Sequence, residues 1–269
     1  MSEGNDMSFL DHLEELRSKL FRSIIAIAIF ALVLFVFKDI LLQVLFGPAN
    51  LDFITYQLWC KLSYFLEMGD KLCIKEIPYV LQSTKMAGPF FAHMTASLIG
   101  GVILAFPYIF YQTWLFIKPG LRSSETVAVR GIVFYVSLLF FLGTAFGYFL
   151  LAPLSTMFLG GYDFGVENRP DLRTYTKLVT GLTIATGLMF QLPVFVFFLT
   201  KAGLVTPKIL KKYRKHALVA VLILSAIITP PDVSSQLLVA FPVLLLYEIS
   251  ILVSKRVMKK AASAKTDNQ

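Results

Sequence analysis

Charge is scarce in this chain: only 16% of its 269 residues are Asp, Glu, Lys or Arg, against about 25% in an ordinary soluble domain. Cysteine is scarcer, with Cys60 and Cys73 alone, and two thiolates by themselves do not make a metal cage. The three histidines, His12, His93 and His216, lie far apart at or near the ends of apolar runs. No GxxxxGK[ST] phosphate loop and no HExxH helix occurs, so nucleotide hydrolysis and zinc-hydrolase chemistry lack their residues. No small-x-small cleavage site follows the first apolar run, which therefore reads as a retained span. The sequence predicts no enzyme, no metal and no cofactor.

What is present is apolar surface. Hydrophobic residues make up 57% of the chain and aromatics 14%, with a mean hydropathy of +0.71. No soluble core of this length absorbs so much, so the predicted solvent is the bilayer. The net charge of +8 sits beside apolar runs rather than in a stripe with interleaved aromatics. That favours a membrane surface and no nucleic acid. A span needs about 20 mostly apolar residues. Runs at about 21–37, 90–117, 131–152 and 178–199 qualify, followed by two shorter ones at 217–229 and 236–253. The fold class predicted is all-α: a polytopic membrane protein of six transmembrane helices, the last two short. Residues 1–256 form one integral domain and 257–269 a basic, disordered tail. With the N-terminus cytoplasmic, 17 Lys and Arg fall on the cytoplasmic side and 8 on the other, which predicts both termini inside. The run at 217–229 ends at the Thr229–Asp232 turn. As a helix it is about 20 Å long, short of a hydrocarbon core of about 30 Å, so the membrane thins there or polar groups sink.

The stretch SFLDHLEELRSKLF at 8–21 sets carboxylates beside a span entrance where basic residues are the rule. Ser8 can cap a helix with Asp11 at its third position, and Phe9, Leu13, Leu16 and Leu20 make an apolar stripe. The pattern predicts a helix lying in the interface plane and turning into the first span. Glu15 can pair with Lys19 and Glu14 with Arg17, each pair worth a few tenths of a kcal/mol.

HLEELRSKL at 12–20 resembles the N-terminal signature of the TatC family, the membrane receptor of the twin-arginine protein translocase. Also family-like are AFPYIFYQTWLFIKPGLRSSE at 105–125, YFLLAPLSTMFL at 148–159, GLMFQLPVFVFFLTKAGLVTP at 187–207 and ITPPDVSSQLLVAFPVLLLYEISIL at 228–252. The resemblance implies a curved, glove-like helical wall in the inner membrane. It implies binding of signal peptides with two consecutive arginines at the cytoplasmic face, single-span TatA- and TatB-type partners, a homo-oligomer in the receptor complex, and export of folded cargo driven by the proton gradient. Glu15 and Glu125 fall on the family's signal-contacting acidic positions, and Arg17 on one kept basic. A carboxylate accepts a guanidinium in bidentate fashion, which an ammonium cannot match.

Several residues also have simpler readings. Glu125 can cap the third span. Gln191, mid-span before Pro193, stands where the family often has glutamate; it either draws water inward or bridges a carbonyl freed by Pro193, and as an amide it carries no proton. Thr229, Asp232 and Gln236 flank the outer turn, where the family docks its partners, or they satisfy the proline-broken backbone. Glu248, inside the last span, needs a partner or a path to the interface. Pro48 lies in the first external loop, 38–88. Its Cys60 and Cys73 face an oxidising compartment in this orientation, predicting a disulfide worth roughly 3 kcal/mol. A secondary transporter of a small solute is the alternative, but short helices occur only at the C-terminal end and Gln191 alone offers polarity at mid-membrane, rather than the inverted repeats and midplane charges of such proteins.

Overall fold

The computed structural model of the protein describes residues 9–117, 129–162, 165, 168–229 and 233–266. Among these there are eleven α-helices and no strand, only an isolated bridge between Gln82 and Asp171. Five helical stretches are long and apolar enough to cross a membrane: Leu13–Val36, Gly88–Phe116, Gly131–Gly160, Leu172–Lys201 and Gln236–Lys259. The chain divides into two compact units, Met1–Leu42 with His93–Leu138, and Gln43–Ala92 with Leu139–Gln269.

In the first unit, α1 (Phe9–Val36) is a single helix of 28 residues. The expected turn between an interfacial helix and the first span is absent, because no proline or glycine interrupts 9–36 and nothing else forces a break. Against it lies α4 (Gly88–Ile117), which carries Pro107 without interruption. Gly100 and Gly101 permit the approach. A Cβ on Gly101 would stand 2.7 Å from the Ala31 backbone nitrogen, and one on Gly100 would stand 2.6 Å from Leu34 Cδ1. Small residues give this closeness where lipid supplies no hydrophobic drive. Phe35 stacks on His93 at 4.3 Å.

The second unit begins with α2 (Lys38–Phe46), whose first residues belong to the first unit, and α3 (Ile54–Phe65). A disulfide joins Cys60 to Cys73. The third apolar stretch is α5 (Val129–Phe146), a π-helical turn over Gly147–Leu151, and α6 (Ala152–Gly160). It therefore runs past the expected end at 152. Proline explains the irregular turn: Pro153 has no N–H for the Phe149 carbonyl four residues back. The Thr55 hydroxyl of α3 donates to that carbonyl at 2.6 Å. The last carbonyls of α2, orphaned as at every helix end, are met in the same way. Tyr148 donates to Val44 at 2.5 Å and Tyr175 to Leu45 at 3.1 Å. Pro48 is fully buried and its carbonyl accepts from Tyr56 at 2.6 Å. Gly47 leaves room for this, since a Cβ there would stand 2.6 Å from the Tyr148 oxygen.

The fourth stretch is two helices, α7 (Leu172–Met189) and α8 (Leu192–Lys201), rather than the continuous span expected over 178–199. Pro193 removes the donor for the Met189 carbonyl, and the chain turns at Phe190 and Gln191. Asp171 caps α7: its carboxylate accepts from the Arg173 N–H at 2.9 Å and the Thr84 hydroxyl at 2.9 Å. The hydrogen bond from Arg173, then those from Thr84, hold its carboxyl below the usual range. After α9 (Pro207–Lys212) come α10 (Arg214–Ile228) and α11 (Val233–Thr266). α10 has 15 residues, about 22 Å, and is short as expected. α11 is not short. Its apolar part covers 24 residues, and the helix carries Lys and Arg, good helix formers, on to Thr266. The tail assigned to 257–269 thus begins as the last turns of α11. Leu151, Leu182, Met189, Val221, Val239, Ala240 and Val243 form the core of this unit.

Thr55→Val keeps the shape of the side chain but leaves the Phe149 carbonyl without its donor, so unfolding in detergent should be easier by about 1–3 kcal/mol. Tyr64→Phe, at an exposed site, should change it far less. The Asp171 carboxyl titrates lower folded than unfolded, so its contribution is complete above its ordinary pKa of 3.8 and fades as pH falls below that. Asp171→Asn should flatten that acid limb in a pH series of thermal melts.

Candidate functional site

Glu15 stands on the second turn of α1 with its side chain 27% exposed, and its Oε1 lies 3.7 Å from Lys19 Nζ. The Lys19 carbonyl accepts from the Ser23 hydroxyl at 3.0 Å. Arg17 points elsewhere, over the Phe21 ring at 5.6 Å, so the pairing of Glu14 with Arg17 does not form. Leu13, Leu16 and Leu20, the apolar stripe, are exposed. A carboxylate with one long contact to a lysine keeps most of its lone-pair sites open to further donors. Glu125 falls within 118–128, outside the described residues, as do Ser8 and Asp232.

Gln191 is buried at the break between α7 and α8. Its main-chain carbonyl accepts from the Val194 N–H at 2.9 Å and the Phe195 N–H at 3.0 Å, so it starts α8. The neighbouring threonines hydrogen-bond within their own helix: Thr176, Thr180, Thr183 and Thr186 each donate to the carbonyl four residues back, at 2.7–2.8 Å.

At the end of α10, Thr229 is buried and donates to the Ser225 carbonyl at 2.8 Å. Gln236 Nε2 donates to the Leu222 carbonyl of α10 at 3.1 Å. Both side chains thus act inside the α10–α11 hairpin. Glu248 has a partner that the sequence reading left unnamed: its Oε2 lies 2.5 Å from Arg214 Nη2. The signal was legible, because Arg214 and Glu248 are equidistant from Pro231, and in a helical hairpin such residues lie at the same depth. No group of three or more His, Cys, Asp or Glu suited to a metal occurs among the described residues.

A family model described as "Sec-independent protein translocase protein (TatC)" matches residues 11–242. The chain belongs to the TatC family. It is 41% identical over 265 residues to the Sec-independent protein translocase protein TatC of Blattabacterium sp. subsp. Periplaneta americana (strain BPLAN), covering 96% of this chain and 99% of that one. It is 34% identical over 260 residues to TatCy of Bacillus subtilis (strain 168), covering 96% and 92%. A crystal structure of the twin arginine translocase receptor TatC is similar with a TM-score of 0.70 at 35% identity, over 92% of this chain and 99% of that one. The chain is therefore a multi-span membrane subunit of the Sec-independent translocase, of a receptor family with no enzymatic activity.

The Gln236 hydrogen bond is of the kind that averages about 0.6 kcal/mol between membrane helices. Gln236→Leu should lower stability by about that amount in a denaturant titration, leaving a folded protein in which partner contacts can be measured separately.

Proposed function

We propose that this TatC-family chain binds the paired arginines of signal peptides on folded cargo through Glu15 and Glu125, at a cytoplasmic face that also holds both termini. The observation that carries the reading is the Glu15 carboxylate, half-buried and loosely held by Lys19 at 3.7 Å where basic residues otherwise prevail. A guanidinium offers it two parallel hydrogen bonds, displacing one long contact to an ammonium. Arg17, turned onto Phe21, leaves the acid accessible and repels a misplaced cation. The basic bias of 17 residues against 8 supports the orientation and, with it, residence in the inner membrane.

TatA- and TatB-type single-span partners dock at the α10–α11 hairpin, exchanging their polar side chains for the internal hydrogen bonds of Thr229 and Gln236, with Asp232 at the turn. Bonds of this strength are readily traded. The receptor assembles as a homo-oligomer. Energy comes from the proton gradient; Gln191 hydrates the break in the fourth stretch without itself carrying a proton.

Photocrosslinking of a peptide with two consecutive arginines tests this directly. Binding should exceed that of a two-lysine peptide, and Glu15→Gln should weaken it by roughly tenfold or more, the worth of one charge-assisted bond. Equal capture of both peptides, or unchanged capture by both Glu15→Gln and Glu125→Gln, overturns the assignment.

A further inference from the structure

The basic ends of α8 to α11 form a cluster that peptide binding does not use. The Tyr247 hydroxyl donates to the Leu210 carbonyl at 2.8 Å, and Val196, Leu210 and Ile251 pack together, so α9 is held against α11. That clamp seats Lys211, which follows Leu210, against the stretch of α11 where Lys255 lies one turn beyond Ile251. Two ammonium groups side by side oppose each other's charge. The charge of Lys255 draws the Lys211 pKa below its ordinary value, and Arg214 adds to the effect. The carboxylate that favours the charge of Lys211 is Glu248, and Arg214 already grips it at 2.5 Å.

Both lysines are exposed, with Lys212, Lys215 and Arg256 beside them, also exposed. Glu248, Leu252 and Lys255 recur at spacings of four and three, on one face of α11. Leu252 is exposed there, one turn toward the membrane from Lys255, and Leu245 and Ile249 continue the apolar surface. An apolar wall ending in two crowded cations matches an acyl chain ending in a phosphate. We propose that Lys211 and Lys255 together bind the phosphodiester of an anionic phospholipid, its chains lying along Leu252 and Ile249. A phosphate between the two ammonium groups replaces repulsion with attraction, and basic pockets between span ends are suited to such headgroups. This goes further than a basic bias that only orients the chain, since it depends on two particular residues.

Native mass spectrometry of the full chain in detergent, with phosphatidylglycerol or phosphatidylcholine added, tests the site. The wild type should retain phosphatidylglycerol preferentially. Lys211→Gln with Lys255→Gln should lower that retention roughly tenfold or more, and Lys211→Arg with Lys255→Arg should keep it. Lys61→Gln with Lys71→Gln, which removes the same charge from the external loop, should also keep it. Equal retention of the two lipids by the wild type, undiminished retention by the double Gln variant, or the same loss in the Lys61 and Lys71 control overturns the proposal. Displacement of the lipid by an equal concentration of inorganic phosphate also overturns it, marking a site for free anions.

Discussion

Hydrocarbon offers no hydrogen bonds, so a carbonyl that loses its helical partner in a bilayer must find a donor within the protein. This chain loses such partners repeatedly, because Pro107, Pro153, Pro193 and Pro242 all fall in its apolar stretches. The solutions differ with depth. Around α2 and α3, Thr55 answers for the Phe149 carbonyl and Tyr148 and Tyr175 for the end of α2. The side chains that hold the loop to the spans thus also complete the backbone of each. At Pro193 the chain gives way, ending one helix and starting another at Gln191.

The same accounting explains why small residues stand where they do. Gly147 lies in the π-helical turn, and a Cβ there would collide with Thr186 Oγ1 and stand 2.8 Å from the Leu182 carbonyl. Gly143, one turn earlier, is as close to the Thr186 carbonyl at 2.7 Å. Close backbones raise dispersion contact, the main cohesive term between helices in lipid. Thr186 can sit there because its hydroxyl is spent on Leu182 and asks nothing of its neighbour.

Much of this was legible in the residues. Composition and run length gave the membrane and the helical class, and the lengths of the stretches followed within a few residues except at two kinds of place. Helix ends outran the apolar runs, as α11 does through Lys255 and Arg256, because helix propensity does not stop where hydrophobicity does. The break at Gln191 was hidden because a proline within an apolar run permits either a kink or a break, and Pro107 and Pro242 leave their helices continuous. Of the site, the Glu15 to Lys19 contact could be read from spacing alone. So could the Arg214 to Glu248 pairing, from equal distance to Pro231, whereas the approach of Lys211 to Lys255 depends on how α9 registers against α11, a tertiary fact set by Tyr247 and the apolar cluster under it.

α1 has one further property. Its 28 residues make a rod about 42 Å long with no proline or glycine inside it to act as a hinge. A push applied sideways at Glu15 is not absorbed along the way; it tilts the rod, and Val36 at the far end swings with it. The stretch that carries Glu15 is therefore also a lever, and movement at one end of α1 is felt at the other.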